Sequence, residues 1–122
     1  MLFEFNDDSP IYLQIANGIE DGIIKGVYEE ESQVPSTTEI SVTYKINPAT
    51  VGKGYNLLVG EGIIYKKRGV GMFVNSGAKE KLVNKRKSSF FENYIQSLIE
   101  EGKRLGITTE EIIELIKWGE RK

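Results

Sequence analysis

The sequence predicts a mainly α-helical fold with one small β-hairpin: a winged helix-turn-helix followed by a C-terminal two-helix dimerisation segment. Three observations carry this. Ser36-Thr37-Thr38-Glu39 and Asn47-Pro48 mark two helix starts with only the turn Lys45-Ile46 between the helices. After Gly62 the chain becomes rich in β-branched and aromatic residues, interrupted by the turn Lys67-Arg68-Gly69-Val70-Gly71. From Lys79 onward, helical apolar stripes return that a two-helix hairpin cannot bury by itself. The 122 residues divide into a winged domain, 1–76, and a tail, 77–122, with Ser76-Gly77-Ala78 as the hinge.

A lead-in, Met1 to Asp8, carries Leu2, Phe3 and Phe5. Ser9 is the expected N-cap of the first helix and Pro10 its first residue. Ile11, Ile15, Ile19 and Ile23 fall four apart and form one apolar stripe, widened by Leu13, Ala16 and Ile24, with Gly26 as the stop. Val27 to Pro35 reads as an extended connector whose acidic run, Glu29-Glu30-Glu31, is a solvated loop rather than a cation site.

The second helix starts in a capping box, Ser36 with Glu39, and runs to about Tyr44. The third is marked at both ends, by Asn47 as N-cap with Pro48 behind it and by Gly62 past the end. Its core face is Val51, Tyr55, Leu58 and Val59; its other face is small or polar, with Pro48, Ala49, Thr50, Gly52, Lys53 and Asn56. The expected strands are Ile63 to Lys66 and Met72 to Asn75. A long helix, Lys79 to about Leu105, begins basic and continues with Phe90, Phe91, Tyr94, Ile95, Leu98 and Ile99; Gly102 should weaken its last turn and Gly106 end it. A second capping box, Thr108 with Glu111, opens a final helix carrying Ile112, Ile113, Leu115, Ile116 and Trp118.

Charge is unevenly placed. Residues 1–76 hold 6 Lys and Arg against 10 Asp and Glu, a net of −4; residues 77–122 hold 10 against 8, a net of +2. With no histidine and no cysteine, the usual general bases, thiolate nucleophiles and most zinc sites are missing, so an enzyme is not expected and neither a metal nor a cofactor is called for. No signal peptide and no membrane-spanning stretch is visible, which fits a cytoplasmic protein. Two glycines in the basic turn do not make a nucleotide loop, because position 74 is Val where a third glycine is needed.

A helix-turn-helix followed by a hairpin suits double-stranded DNA. The third helix would enter the major groove by its N-terminal end, the second would lie across the phosphates, and the hairpin tip would reach the flanking minor groove. Lys66, Lys67 and Arg68 stand where such a wing needs charge, and Ser36, Thr50 and Tyr55 offer hydroxyls to phosphate oxygens. Ser36 also caps a helix and Tyr55 also packs, and both readings can hold together.

In order and spacing, Pro10-Ile11-Tyr12-Leu13-Gln14-Ile15, Val34-Pro35-Ser36-Thr37-Thr38-Glu39-Ile40, Ile46-Asn47-Pro48-Ala49-Thr50-Val51, Leu58 through Gly62 and Gly69-Val70-Gly71-Met72-Phe73-Val74 resemble the GntR family of bacterial transcription regulators. The short two-helix tail resembles its YtrA-like branch. The resemblance implies a dimeric repressor on a two-fold operator. In that frame Ser36, Thr50 and Tyr55 would hold phosphates, with Thr37 and Thr38 beside them; Asn47, Pro48, Ala49 and Lys53 would face bases; Lys67, Arg68, Gly69 and Gly71 would form the wing. Family arginines are missing at Thr38 and Gly52, so base readout rests on Lys53 and Asn56, and on the wing and dimer avidity.

Phe90, Phe91, Tyr94, Ile95 and Leu98 on one tail helix, and Ile112, Ile116 and Trp118 on the other, cannot all be buried within one hairpin. A homodimer through residues of about 78–120 would bury them. No residue pattern demands a small-molecule effector; one would sit between the tail and the winged domain. The alternative function is a winged-helix module for protein contacts with a vestigial DNA face. A purely structural dimerisation module would leave the basic wing unexplained.

Overall fold

The computed structural model describes residues 3–122; Met1 and Leu2 of the lead-in lie outside the described residues. The order is α1 (Ile11–Ile24), α2 (Thr37–Tyr44), α3 (Pro48–Gly60), β1 (Ile64–Lys67), β2 (Gly71–Val74), α4 (Ala78–Ser88), α5 (Gln96–Arg104) and α6 (Thr109–Arg121). A π-helical stretch, Phe91–Ile95, lies between α4 and α5 and interrupts the single helix expected over 79–105. The fold is the mainly helical winged helix-turn-helix that the sequence predicts. Two compact units divide it, Met1–Asn84 and Lys85–Lys122. The first runs past the expected hinge because Ala78 and Leu82 of α4 are buried in its core.

In the first unit Ile15, Ile19 and Ile23 of α1 are fully buried and Ile11 and Ile24 border the core. The start of α1 differs from expectation: Pro10, not Ser9, occupies the cap position, and no side chain caps it. Pro10 is extended, at φ −56° and ψ 142°, and its carbonyl accepts from the N–H groups of Leu13 and Gln14. The Gln14 carboxamide closes the lead-in instead. Its nitrogen donates to the carbonyls of Ser9 at 2.7 Å and Asn6 at 2.9 Å, and its oxygen accepts from the Asn6 N–H at 3.1 Å. Phe3 then settles on Gly18, where a Cβ would stand 2.1 Å from the ring. Phe3 and Phe5 stack at 5.6 Å, and both meet the ring of Tyr44 edge-on.

The Ser36–Glu39 capping box is formed as expected, and α2 ends at Lys45, whose φ of 55° is left-handed. Asn47 caps α3 through its side-chain oxygen, with Pro48 at the first position. Val51, Gly54, Tyr55 and Leu58 are buried, whereas Val59, expected on the core face, is 40% exposed. At about 100° per residue, Leu58 falls within roughly 20° of Val51 and Val59 roughly 80° away. Beyond the helix Gly62 takes φ 74°, and the Ile63 N–H donates back to the Leu58 carbonyl at 3.0 Å.

The hairpin pairs Ile64 with Val74 through to Lys67 with Gly71, so its strands sit one residue from the expected ranges. The connector adds a short outer pairing: Gln33 bridges Phe73, the Val34 N–H donates to Met72, and the Glu31 N–H donates to Val74. The acidic run is spent locally. Glu31 accepts from the Tyr65 hydroxyl at 2.7 Å, and Glu30 accepts from the Gly77 N–H.

In the second unit the Thr108–Glu111 capping box opens α6, and Gly106 takes φ 71° past the end of α5. Gly102 does more than weaken a turn: it is buried, and a Cβ on it would stand 2.9 Å from Ile112 Cδ1, so it marks the close approach of α5 to α6. Among the described residues no helix is long and apolar enough to cross a membrane.

Candidate nucleic-acid interface

Asn47, Pro48, Ala49, Lys53 and Asn56 are exposed, with Thr50 and Gly52 half-buried between them. The capping bond explains the exposure of the first turn. Asn47 Oδ1 accepts from the Ala49 N–H at 2.8 Å, which fixes where the helix starts and uses the carboxamide oxygen, not its nitrogen. Around Gly52 a Cβ would meet nothing within 4 Å. Lys53 holds its ammonium 4.1 Å from the centre of the Tyr12 ring, so its charge is steered toward the α1 side of α3.

Ser36 Oγ accepts from the Glu39 N–H at 3.0 Å and, as a hydroxyl, retains a proton to donate. Thr37 is half-buried beside it and Thr38 is exposed. Tyr55 corrects the sequence reading. It is 1% exposed, and its hydroxyl donates to the Pro35 carbonyl at 2.5 Å. Its hydrogen-bonding capacity is turned inward, so it fixes α3 against the residue before Ser36 and offers nothing to an outside phosphate. Burial pushes its hydroxyl pKa well up, with Tyr28 and Glu39 adding to the shift.

At the wing, Lys66, Lys67, Arg68, Gly69 and Val70 are all exposed. The tip closes through the Val70 N–H donating to the Lys67 carbonyl at 2.9 Å, and Gly69 at φ 77° supplies the left-handed residue it needs. Lys67 Nζ lies 4.5 Å from the centre of the Phe73 ring, which itself stacks on Tyr65 at 5.9 Å. The Tyr65 hydroxyl pKa is raised by its hydrogen bond to Glu31, then by burial and by the Glu31 charge.

Two side chains important to this geometry escaped sequence reasoning. Gln33 donates from Nε2 to the Val70 carbonyl at 3.1 Å, reaching across from the connector to the wing. Tyr12 carries Lys53. Neither has a local signature, because each contact joins segments far apart in the chain.

In the second unit Phe90, Phe91, Tyr94, Leu98, Ile116 and Trp118 are exposed, and Ile95 and Ile112 are half-buried. An open apolar hollow forms between α5 and α6, lined by Leu98, Gly102, Leu105, Ile107, Ile112 and Ile116 among others.

Comparison with known proteins adds four likenesses. Residues 11–74 match the family described as bacterial regulatory proteins, gntR family. The chain is 33% identical over 109 residues to the HTH-type transcriptional repressor YtrA of Bacillus subtilis (strain 168), covering 89% of this chain and 83% of that one. The structure of a GntR family transcriptional regulator from Listeria monocytogenes superimposes with a TM-score of 0.72 at 30% identity, covering 93% of this chain and 97% of that one. The crystal structure of the AraR DNA-binding domain in complex with operator ORX1 superimposes with a TM-score of 0.55 at 25% identity, covering 61% of this chain and 98% of that one.

Proposed function

The chain belongs to the GntR family of bacterial regulatory proteins, which are transcription regulators and not enzymes, and we propose that it is a cytoplasmic repressor binding a two-fold operator as a homodimer. One observation carries the reading. The leading turns of α3 keep Asn47, Pro48, Ala49 and Lys53 exposed, while Val51, Tyr55 and Leu58 anchor the opposite face in the core. A helix so mounted enters a major groove by its N-terminal end. Asn47, Pro48, Ala49, Lys53 and Asn56 face the bases; Ser36, Thr37, Thr38 and Thr50 hold phosphates. The exposed Lys67 and Arg68 enter the adjacent minor groove, where Gly69 and Gly71 keep the tip slim. A relative of the same domain fold has been solved on its operator, which supports this placement.

The acidic balance of residues 1–76 and the missing arginines make intrinsic affinity weak, so pairing through the tail supplies the rest. A two-fold pair sets half-sites about 34 Å apart, or a multiple of that.

The test is selection of bound duplexes from a random pool, followed by a salt titration. Eight neutralised phosphates give a log–log slope of about −7. Changing Lys67 and Arg68 together to Ala should flatten it. Undetectable binding at low salt to every duplex, the region upstream of the chain's own gene included, defeats the reading. A partner protein captured through the Asn47–Asn56 face would favour the second one, a protein-contact module, which the same acidic balance motivates.

A further inference from the structure

Gln33 belongs to the connector between α1 and α2, outside every element to which the DNA-binding reading gives a role. Its backbone forms an isolated antiparallel bridge with Phe73, and the neighbouring Val34 N–H donates to the Met72 carbonyl at 2.9 Å. The side chain continues along the hairpin toward its tip, where Nε2 donates to the Val70 carbonyl at 3.1 Å. A Cβ on Gly71 would stand 2.4 Å from Gln33 Nε2, 3.3 Å from Cδ and 3.7 Å from Cγ. The carboxamide nitrogen therefore stands in the volume that a side chain at position 71 would fill. Gly71 is thus required twice, for this contact and for its φ of 147°.

Beyond that clamp only Arg68 and Gly69 remain to complete the turn between Lys67 and Val70. A two-stranded hairpin is marginal on its own, and a loose tip would have to be ordered each time it bound. We propose that Gln33 is a positioning residue for the wing: it holds the Val70 carbonyl so that Lys67 and Arg68 enter the flanking minor groove, between its phosphates, in one attitude. Through the same connector the tip is tied to the reading head. Pro35 accepts from the Tyr55 hydroxyl of α3, and Ser36 caps α2. The inference rests on the DNA-binding reading above, but one arm of its test is independent of DNA.

Gln33→Ala removes the clamp, and Gln33→Met keeps its length while removing the donor. For both, heteronuclear NOEs of the 68–70 amides, the melting temperature and the salt dependence of binding to the selected duplex are measured. The expected result is a melting temperature within a few degrees of the parent, reduced NOEs at the tip, and affinity lower by about threefold to tenfold, the cost of ordering the loosened tip on binding. The log–log slope should become shallower by about 1 to 2 per protomer as the wing's phosphate contacts are lost. Footprints should keep the centre of each half-site and lose its flank. A role confined to stability would lower the melting temperature and leave slope and footprint alone, and that outcome overturns the proposal. Unchanged tip NOEs overturn it as well. If the parent protein binds no duplex, the functional reading fails, and the NOE arm still decides whether Gln33 fixes the tip.

Discussion

The Tyr55 hydroxyl donates to the Pro35 carbonyl at 2.5 Å from a side chain that is 1% exposed, and this one bond fixes α3 to the residue preceding the cap of α2. In a helix-turn-helix the angle between those helices decides whether one can lie in a groove while the other crosses the backbone. Tyr55→Phe keeps the ring and leaves the Pro35 carbonyl without this donor. A loss of about 1–2 kcal/mol in urea unfolding at pH 7 is expected. Burial raises the folded-state pKa of Tyr55 above its ordinary value of 10.0, so the neutral hydroxyl is the form that folding favours. Its stabilisation is complete below about pH 10 and fades as pH rises toward the folded-state value. The parent should lose stability above pH 10 more steeply than Tyr55→Phe. Equal alkaline slopes in the two proteins would mean that the hydroxyl is not held as described.

Two glycines two residues apart on α3 should respond in opposite directions. Gly54 lets α1 and α3 cross closely: a Cβ there would stand 2.7 Å from the Tyr12 carbonyl oxygen, a backbone atom that cannot swing aside. Gly54→Ala should therefore cost about 1–3 kcal/mol, as overpacking does. Gly52 faces open space, so Gly52→Ala should gain about 0.5–1 kcal/mol of helix propensity. Gly52→Arg adds a cation to the same exposed face and should tighten operator binding and steepen its salt slope by about 1. Thermal melts and salt titrations of the three variants check this. If Gly52→Arg leaves DNA affinity unchanged, that face of α3 does not approach DNA.

Local chemistry made much of this fold legible. The two capping boxes, the Asn47-Pro48 start and the left-handed glycines Gly26, Gly62 and Gly106 act within a few residues, and the structure places each where the sequence does. Legibility failed wherever a long side chain was free to choose. Ser9 had the chemistry of a cap, but Pro10 occupied the position, and Gln14 gathered the lead-in from within the helix. At the candidate interface the exposed turn of α3 and the basic tip were readable from residue type. The inward commitment of Tyr55 was not, since a tyrosine at a helical core spacing can turn its hydroxyl either way. Gln33 lies 37 residues from Val70, its acceptor, and one more from Gly71, and no periodicity records that.

The tail offers the last prediction. Apart from Gly102, none of its side chains between Lys85 and Lys122 is buried within the chain, although Phe90, Phe91, Tyr94, Leu98, Ile116 and Trp118 are large and apolar. The two helices α5 and α6 meet closely at Gly102 against Ile112, and an apolar hollow stays open beside that contact. A second copy of the hairpin would cover the faces that remain exposed. Sedimentation at about 10 μM should find a dimer for the parent, in the range where an interface of about 1,200–2,000 Å² holds two chains together. Ile116→Glu places a carboxylate on the exposed face of α6 and should yield monomers whose winged unit still melts cooperatively. Since each monomer can engage one half-site at a time, affinity for the two-fold duplex should fall by about a hundredfold or more. The log–log salt slope should drop to about half, because half the phosphates are contacted. A parent protein that is monomeric at this concentration, or an Ile116→Glu variant that binds the full duplex as tightly as the parent, removes the tail from the mechanism.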